Sequence, residues 1–311
     1  MPRLPRIVID ARMVGGAPYA LSRYVTCLAR GLSRLTEEAP LRYEPLFLVS
    51  PSMDVSVFGG FGTIRVGARW NCFFEKIEIG LIAKRLGAAQ YSSRDLFKHL
   101  TSPVIDLQLL ERAPPNESAQ LLQNYGLGVQ RYFLCLSSLK PRKNLKKLLG
   151  AYLKYANSLQ DQVWPLVLNL TESELHAILP QKDNRILALG GFNELTLRTV
   201  MQNAGAMIVP SLEGGVGMTA VEAASMGVPL VASRTSAYRK VLGELFQGEV
   251  LWVLPESEDL WIKALKTASS GSGMLLGASM ESRSLLLKKY SASRLGVELN
   301  QIYCEMLGLE K

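Results

Sequence analysis

The sequence lacks long hydrophobic segments and paired cysteines. No apolar run approaches the eighteen or so residues that a membrane-spanning helix needs. The run that ends before Asp10 is also too short for the core of a signal peptide, so the cytoplasm is the expected location. The cysteines form no Cys-x-x-Cys pair and are expected to be small buried side chains in a reducing compartment. They are Cys27, Cys72, Cys135 and Cys304.

Histidine is scarce too, since the chain has only His99 and His176. No group of Asp, His or Cys residues has the spacing of metal ligands, so we predict no metal ion and no cofactor. Lys and Arg exceed Asp and Glu by eight, and the isoelectric point is near 9.3. This surplus favours anionic partners, which include phosphates, nucleic acid and an acidic membrane surface, without choosing among them.

What the sequence does contain is a regular alternation of short apolar runs and helix-like stretches. The composition, 48% hydrophobic and 20% charged, is that of a globular protein, and 311 residues suffice for two domains. The alternation predicts an α/β architecture with parallel sheets, and it restarts after a proline-bearing stretch at 113–120. The clearest segments are strands at 6–11, 43–50 and 132–136 and helices at 19–32, 73–87 and 144–159.

A basic loop at 137–147 follows the strand at 132–136. Asn144 can cap the next helix, so the cations of the loop crowd the N-terminal end of that helix. A helix N-terminus disfavours each cation by roughly 0.3–1 kcal/mol, and the cluster is therefore explained if a shared anion such as phosphate bridges it. A solvated basic turn is the alternative. The cations are Lys140, Arg142, Lys143, Lys146 and Lys147.

A glycine-rich loop, SLEGGVGMTAVEAA at 211–224, lies between another apolar run and another helix-like run. Glycines allow a backbone to approach a ligand closely, and successive N–H groups that lead into a helix can bind an anion. Thr219 and Glu222 stand three apart, as in a capping box, which offers Glu222 a purely structural role. The spacing G-x-G-x-x-A at 215–220, with Arg234 farther on, also resembles an NADP-binding fingerprint, although weakly.

Together these segments resemble the retaining, nucleotide-sugar-dependent glycosyltransferases of family 4, also called glycosyl transferases group 1. The resemblance is carried by IVIDARMVGG…SRY, by YGLGVQRYFLCLSSLKPRKNL and most specifically by GGFNELTLRTVMQNAGAMIVPSLEGGVGMTAVEAASMGVPLVAS. It implies the GT-B fold, an α/β architecture of two Rossmann-like domains that face each other across a cleft. We expect a reduced acceptor-side domain at 1–118 and a nucleotide-sugar-binding domain at 119–311, whose last helix could return to the first domain.

The resemblance also implies roles for individual residues. Lys143 would contact the diphosphate, Glu222 would hold the ribose hydroxyls, and the turn at Gly191 and Phe192 would lie along the nucleobase. Lys143 and Glu213 are the expected catalytic residues, and Gly15 and Gly16 form the expected glycine turn on the acceptor side. The expected donor-binding residues are Ser138, Arg142, Lys143, Gly191, Phe192, Gly215, Gly217, Met218, Thr219 and Glu222.

The sequence departs from the family pattern in its glycine-rich loop. The family has a glutamate eight positions before the counterpart of Glu222, where this chain has Gly214, and the acid here is Glu213. Ser138 stands where the family usually has an arginine. The glutamate that commonly follows the strand VPLVAS is also replaced, near Arg239 and Lys240.

A larger departure lies in the first domain, between 86–90 and 91–96. The family carries a strand or two there, with a His-Asp segment that faces the acceptor, and a βαβ unit of about 30 residues does not fit. The resemblance thus predicts a retaining hexosyl-type glycosyltransferase of polysaccharide or glycoconjugate synthesis. A catalytically impaired binding or partner subunit is the alternative. We expect a lipid-linked or polysaccharide acceptor and no nucleic acid partner. A partner chain or the inner face of the membrane would complete the acceptor site.

Overall fold

The structure, a computed structural model, describes residues 4–14, 19–67, 82, 103–159, 162–213, 217–243, 249–270 and 277–309. The predicted helix at 73–87, apart from residue 82, and His99 lie outside these ranges. Contacts between residues divide the chain into two compact units. The first is Met1–Asp106 with Lys289–Lys311, and the second is Leu107–Lys288. The boundary predicted at residue 118 lies inside a helix of the second unit, Pro115–Asn124.

The first unit is built on a parallel three-stranded sheet in the order β1-β2-β3. Its strands are β1 (Arg6–Asp10), β2 (Glu44–Val49) and β3 (Gly62–Arg65). Helix α1 (Tyr19–Glu38) connects β1 to β2, and a 3-10 turn at Ser56–Phe58 precedes β3. The apolar residues of β1 and β2 are almost wholly buried, which accounts for the uninterrupted apolar runs that predicted these strands.

The C-terminal helix of the chain, Ala292–Met306, packs against α1 in the first unit. The two helices meet at Gly31 and Gly296, where backbone contacts backbone. A Cβ atom built on Gly296 would lie 2.5 Å from the carbonyl carbon of Gly31, and one built on Gly31 would lie 2.9 Å from the nitrogen of Gly296. Any side chain at this crossing would therefore push the helices apart.

Gly31→Ala is accordingly expected to lower the free energy of unfolding by about 1–3 kcal/mol, the usual effect of overpacking. Urea or thermal unfolding of the full chain measures the change. Gly150→Ala is the matched control because Gly150 also lies in a helix, but its added Cβ would meet only the flexible side chain of Glu258, at 3.3 Å. That control should be neutral or stabilising by up to about 1 kcal/mol, since Ala is the better helix former. Equal stability of the two variants would contradict the close crossing.

The second unit is built on a parallel six-stranded sheet in the order β6-β5-β4-β7-β8-β9. Counted along the unit, this is the 3-2-1-4-5-6 order of a doubly wound Rossmann-like fold. The strands are β4 (Phe133–Cys135), β5 (Leu166–Leu168), β6 (Ile186–Ala188), β7 (Ala206–Val209), β8 (Leu230–Ser233) and β9 (Val250–Val253). The strand order reverses between β4 and β7, which are neighbours in the sheet.

Helices cover this sheet, and the core that they form with it contains Tyr152, Tyr155 and Trp261. Several helices begin with side-chain caps, among them Thr171, Asn193, Thr235 and Ser257. None of the helices in the described ranges is long and apolar enough to cross a membrane. The helices are α2 (Leu107–Leu110), α3 (Pro115–Asn124), α4 (Leu145–Asn157), α5 (Glu172–Ile178), α6 (Glu194–Gln202), α7 (Met218–Ser225), α8 (Ser236–Leu242), α9 (Glu258–Ser269), α10 (Met280–Lys289) and α11 (Ala292–Met306).

Candidate functional site

The point where the strand order reverses brings two of the predicted loops together. In doubly wound sheets, ligands bind outside the carboxyl ends of the strands at such a point. The basic loop follows β4 and the glycine-rich loop follows β7. The backbone N–H of Leu212 donates to the carbonyl oxygen of Arg142 at 2.9 Å, which joins the two loops directly. The candidate site is therefore the carboxyl edge of β4 and β7.

The basic loop contains a 3-10 turn at Pro141–Lys143, before α4 begins at Leu145. The predicted capping by Asn144 is wrong. Asn144 occupies the position before α4 in a left-handed conformation, φ 57°, and its side chain makes no capping bond. Its Nδ2 instead donates to the carbonyl oxygen of Pro255 at 2.8 Å, and this bond anchors the turn to the loop after β9. The first amides of α4 thus receive no side-chain cap from Asn144.

Lys143 is half-buried at the end of this turn. Burial lowers the pKa of Lys143, the charges of Arg142 and Lys140 lower it further, and Cys135 acts in the opposite direction. Cys135, wholly buried at the end of β4, has its pKa raised to about 12 by burial, and Lys143 opposes that rise. Within the described ranges, Lys143 has no carboxylate within ion-pair distance. A bound anion would supply the missing opposite charge.

Two serine hydroxyls at the same edge have no hydrogen-bond partner among the described residues. They are the Oγ atoms of Ser137, two residues after β4, and Ser233, at the end of β8. The neighbouring backbone is well fixed, since the N–H of Ser137 donates to Oδ1 of Asn169 at 2.7 Å. Ser138, the next residue, is half-buried. Unpaired polar atoms at a buried edge are costly, and a polar ligand would satisfy them.

The glycine-rich loop ends at Gly217, which has a φ of 76° and precedes the first turn of α7. Left-handed backbone favours glycine at this position. No side chain caps the helix here, so the first N–H groups of α7, from Met218 and Thr219, point from its N-terminal end. Glu213 is exposed at the start of the loop, and Gly214 and Gly215 lie outside the described residues.

The capping-box interpretation of Thr219 and Glu222 is wrong. Because α7 begins at Met218, Thr219 is its second residue, and Glu222 lies in its second turn rather than at the third helical position. Glu222 is also wholly inaccessible to solvent, with 0% of its surface exposed. A ligand could reach its carboxylate only if the groups that cover it moved.

The predicted nucleobase turn follows β6 at the same edge of the sheet. Gly191 is exposed and has a φ of 64°, whereas Phe192 is buried. Asn193 accepts the N–H of Thr196 at 2.7 Å and caps α6, which fixes where the turn ends. A Cβ atom on Gly190 would lie 2.9 Å from the carbonyl oxygen of Leu170, so the turn packs closely against the loop after β5.

The first unit carries a buried ion pair that sequence reasoning missed. Asp10 is the last residue of β1, and Arg12 follows shortly after it. The side chains of both residues are almost wholly buried. Arg12 Nη2 is 2.7 Å from Asp10 Oδ2, and Nε is 2.9 Å from Oδ1. The spacing Asp-x-Arg after an apolar strand was the available signal. Gly15 and Gly16, the predicted acceptor-side turn, lie outside the described residues.

Comparisons with known proteins bear on the family and on the fold. Residues 123–274 match the family model for glycosyl transferases group 1. A stretch of 136 residues, 42% of this chain, is 30% identical to the O-antigen chain mannosyltransferase B of Escherichia coli, and it covers 35% of that relative. The chain therefore spans about a third of the length of this relative.

Solved structures resemble nearly the whole chain. Sucrose-phosphate synthase from Thermosynechococcus elongatus has a TM-score of 0.65 at 13% identity, covering 99% of this chain and 100% of that one. HepE of Anabaena, solved with UDP and glucose, has a TM-score of 0.66 at 12% identity, covering 97% of this chain and 100% of that one. Such low identities bear on the fold alone, and they confirm the predicted α/β GT-B fold. The residues that match the family model of glycosyl transferases group 1 all lie in the second unit.

Proposed function

We propose that this chain is a retaining glycosyltransferase that moves a hexosyl-type sugar from a nucleotide-sugar donor to an acceptor hydroxyl. The observation that carries the proposal is the hydrogen bond between Leu212 and Arg142, which joins the basic turn to the glycine-rich loop at the carboxyl edge of β4 and β7. Lysine and arginine side chains and the free amides of a helix N-terminus are the groups that bind phosphate in proteins. A diphosphate at this edge would use both.

The chemistry of transfer follows from that arrangement. The bond between the anomeric carbon and the diphosphate oxygen breaks, and the diphosphate leaves with the electron pair. The acceptor oxygen forms the new bond on the same face of the anomeric carbon, and its proton passes to the departing diphosphate. Lys143 and the first amides of α7 would stabilise the charge that develops on the leaving oxygen, and preorganised donors of this kind are usually the largest catalytic contribution. Glu213, one residue after Leu212, would act at the sugar. Since cations and amides supply the stabilisation, we propose a reaction independent of metal ions.

The names of similar proteins support the kind of process. The Escherichia coli relative is an O-antigen chain mannosyltransferase, and the Anabaena structure holds UDP and glucose. We therefore propose that this chain works in polysaccharide or glycoconjugate synthesis on a lipid-linked or polysaccharide acceptor. The surplus of eight positive charges would favour the inner face of an anionic membrane as its place of action.

A catalytically impaired partner subunit is the second candidate. It is favoured by the short interval between residues 86 and 96, where a strand and a His-Asp segment are expected and do not fit. Such a subunit would still bind the nucleotide sugar through the second unit. Turnover therefore separates the two candidates, whereas binding alone does not.

The test is the release of nucleoside diphosphate from a panel of UDP-, GDP- and ADP-sugars, measured with acceptors and with EDTA present. We expect one nucleotide sugar to bind and to turn over, with no loss of either in EDTA. Binding without turnover on any soluble or lipid-linked acceptor would favour the partner subunit. NADP serves as the negative control, because its binding in place of any nucleotide sugar would mean that the fingerprint at 215–220 had the dinucleotide role.

A further inference from the structure

The second unit has a cavity at the edge of the sheet opposite the candidate site. Its volume is about 620 Å³, it is partly open to solvent, and all of its lining residues belong to the second unit. Val129, Asn203 and Met226 line it, and they precede β4, β7 and β8 respectively. The amino ends of these three parallel strands therefore border the cavity, whereas the candidate site lies at their carboxyl ends.

The length of α7 separates the cavity from the candidate site. The first amides of α7 lie at the candidate site, while its last residue, Ser225, and the following Met226 line the cavity. The eight residues of this helix span about 12 Å at 1.5 Å per residue. A hydroxyl held inside the cavity could not reach a sugar held at the carboxyl edge. The cavity therefore lies outside the proposed transfer site.

The wall that α3 contributes to the cavity is largely apolar. Pro115, Ala119 and Leu122 share one face of this helix, and Met226 and Leu287 add apolar surface from other elements. More than half of the lining residues are apolar. Small-molecule sites in proteins commonly have volumes of about 300–1,000 Å³ and mostly apolar linings with a few polar groups. The cavity has the size and the lining of such a site.

The neutral polar side chains of the lining already have partners within the protein. Gln202 Nε2 donates to the carbonyl oxygen of Glu111 at 2.7 Å, and Gln202 Oε1 accepts the N–H of Ala113 at 3.1 Å. Asn203 Nδ2 donates to the carbonyl oxygen of Thr199 at 2.9 Å. A ligand would have to compete with these bonds, so these side chains do not determine which ligand binds.

The charged residues of the lining are two arginines, Arg112 and Arg283. Nε of Arg283 donates to the carbonyl oxygen of Ser225 at 2.8 Å, and Nη1 lies 3.7 Å from the sulfur of Met280. Neither arginine forms an ion pair with a carboxylate among the residues that the structure describes. A guanidinium binds a carboxylate or a phosphate through two parallel hydrogen bonds. The arginines therefore favour an anionic ligand.

We propose that this cavity binds an anionic amphiphile, a molecule with one apolar chain and a phosphate or carboxylate head. The head contacts Arg112 and Arg283, and the chain lies along the apolar face of α3. Inorganic phosphate would leave that face uncovered, and an alcohol of the same chain length would leave the arginines without an opposite charge. The inference does not depend on the proposed donor site, which lies at the other edge of the sheet.

Isothermal titration of the full chain with octyl phosphate, below its micelle-forming concentration, tests the inference. Octyl phosphate is expected to bind at least about 10-fold more tightly than octanol or inorganic phosphate, because a charge-assisted hydrogen bond and a buried chain each add to affinity. Arg112→Ala should weaken its binding about 10-fold. Ala119→Phe should abolish binding, because the added ring occupies the space of the chain. Both residues are exposed, so neither change should lower the melting temperature of the free protein.

Each variant has a matched control. Lys263→Ala removes an exposed cation of α9 outside the cavity lining, and Gln120→Phe adds a ring on a different face of α3. Both controls should bind octyl phosphate like the unaltered chain, and so should Lys143→Ala. Equal affinities for octyl phosphate and octanol, or unchanged binding in Arg112→Ala and Ala119→Phe, would overturn the inference. Loss of octyl phosphate binding in Lys143→Ala instead would place the anion at the basic turn and would also overturn it.

Vesicles identify the source of the amphiphile. Displacement of octyl phosphate by vesicles that contain lysophosphatidic acid, but not by vesicles of phosphatidylcholine alone, would support a membrane lipid as the ligand of this cavity. Octyl phosphate binding that neither kind of vesicle changes would support a soluble amphiphile as the ligand.

Discussion

Replacing Lys143 with alanine is expected to weaken the binding of nucleoside diphosphates about 10- to 150-fold and to leave the binding of the matching nucleosides nearly unchanged. A charge-assisted hydrogen bond to phosphate contributes about 1.5–3 kcal/mol, and a nucleoside lacks that acceptor. Lys143 is half-buried and has the cations Arg142 and Lys140 nearby. An anion bound there is attracted by Lys143 and also reduces the repulsion among the three cations. We therefore expect a loss of diphosphate affinity toward the upper end of this range.

The binding contributed by Lys143 should also depend on pH. Only the charged ammonium attracts phosphate, and the pKa of Lys143 is lowered from its ordinary value of 10.5 by burial and by its cationic neighbours. Its contribution is therefore complete well below that lowered pKa and is lost as the pH rises through it. A bound diphosphate raises the pKa again. Diphosphate affinity should thus decline at a lower pH than expected for an exposed lysine, and Lys143→Ala should remove this decline.

Lys154→Ala is the matched control for this experiment. Lys154 lies on the same helix, α4, but near its far end, where it pairs with Glu258 at 3.0 Å. Removing that exposed charge should leave both affinities as they are, because surface ion pairs contribute little. Loss of nucleoside and nucleoside diphosphate affinity by equal factors in Lys143→Ala would refute the phosphate contact.

The secondary structure could be predicted wherever the signal was local. The apolar run at 43–50 became β2 at Glu44–Val49, and the helical periodicity at 144–159 became α4 at Leu145–Asn157. Apolar runs and helical spacing depend on residues a few positions apart, which a single sequence displays. The loops that carry the candidate site were found in the same way, since each follows a predicted strand.

What the sequence could not reveal are pairings between distant segments. Asn144 has the residue type of a helix cap, yet its side chain donates a hydrogen bond to the carbonyl oxygen of Pro255, more than a hundred positions away. The bond from the N–H of Leu212 to the carbonyl oxygen of Arg142 is of the same kind. The capping box failed for a related reason, because the left-handed backbone at Gly217 starts α7 before Thr219.

Glu222 lies on α7 at the candidate site, but it is covered by other groups. A carboxylate with 0% of its surface exposed is not an obvious ligand for ribose. The resemblance to family 4 nevertheless assigns it the ribose hydroxyls, and it lies on α7, whose first turn would bind the diphosphate. Both statements hold if binding displaces the groups that cover the carboxylate. Association would then be slower than the usual 10⁵–10⁷ M⁻¹ s⁻¹, roughly, of binding that needs no rearrangement.

Glu222→Gln is therefore expected to weaken the binding of nucleosides and of nucleoside diphosphates by the same factor, about 10-fold or more. The reason is that a charged acceptor of ribose hydroxyls contributes about 1.5–3 kcal/mol to the binding of either ligand. Lys143→Ala, in contrast, is expected to weaken the binding of nucleoside diphosphates and to leave the binding of nucleosides nearly unchanged. A 2′,3′-dideoxynucleoside diphosphate isolates the contact: the unaltered chain should prefer the ribose form, and Glu222→Gln should not. Ser225→Ala, which removes another buried polar group from α7, is the control and should keep the preference. If Glu222→Gln retained the full preference for ribose while its melting temperature fell, Glu222 would be a structural carboxylate, and the ribose would be held elsewhere at the edge of the sheet.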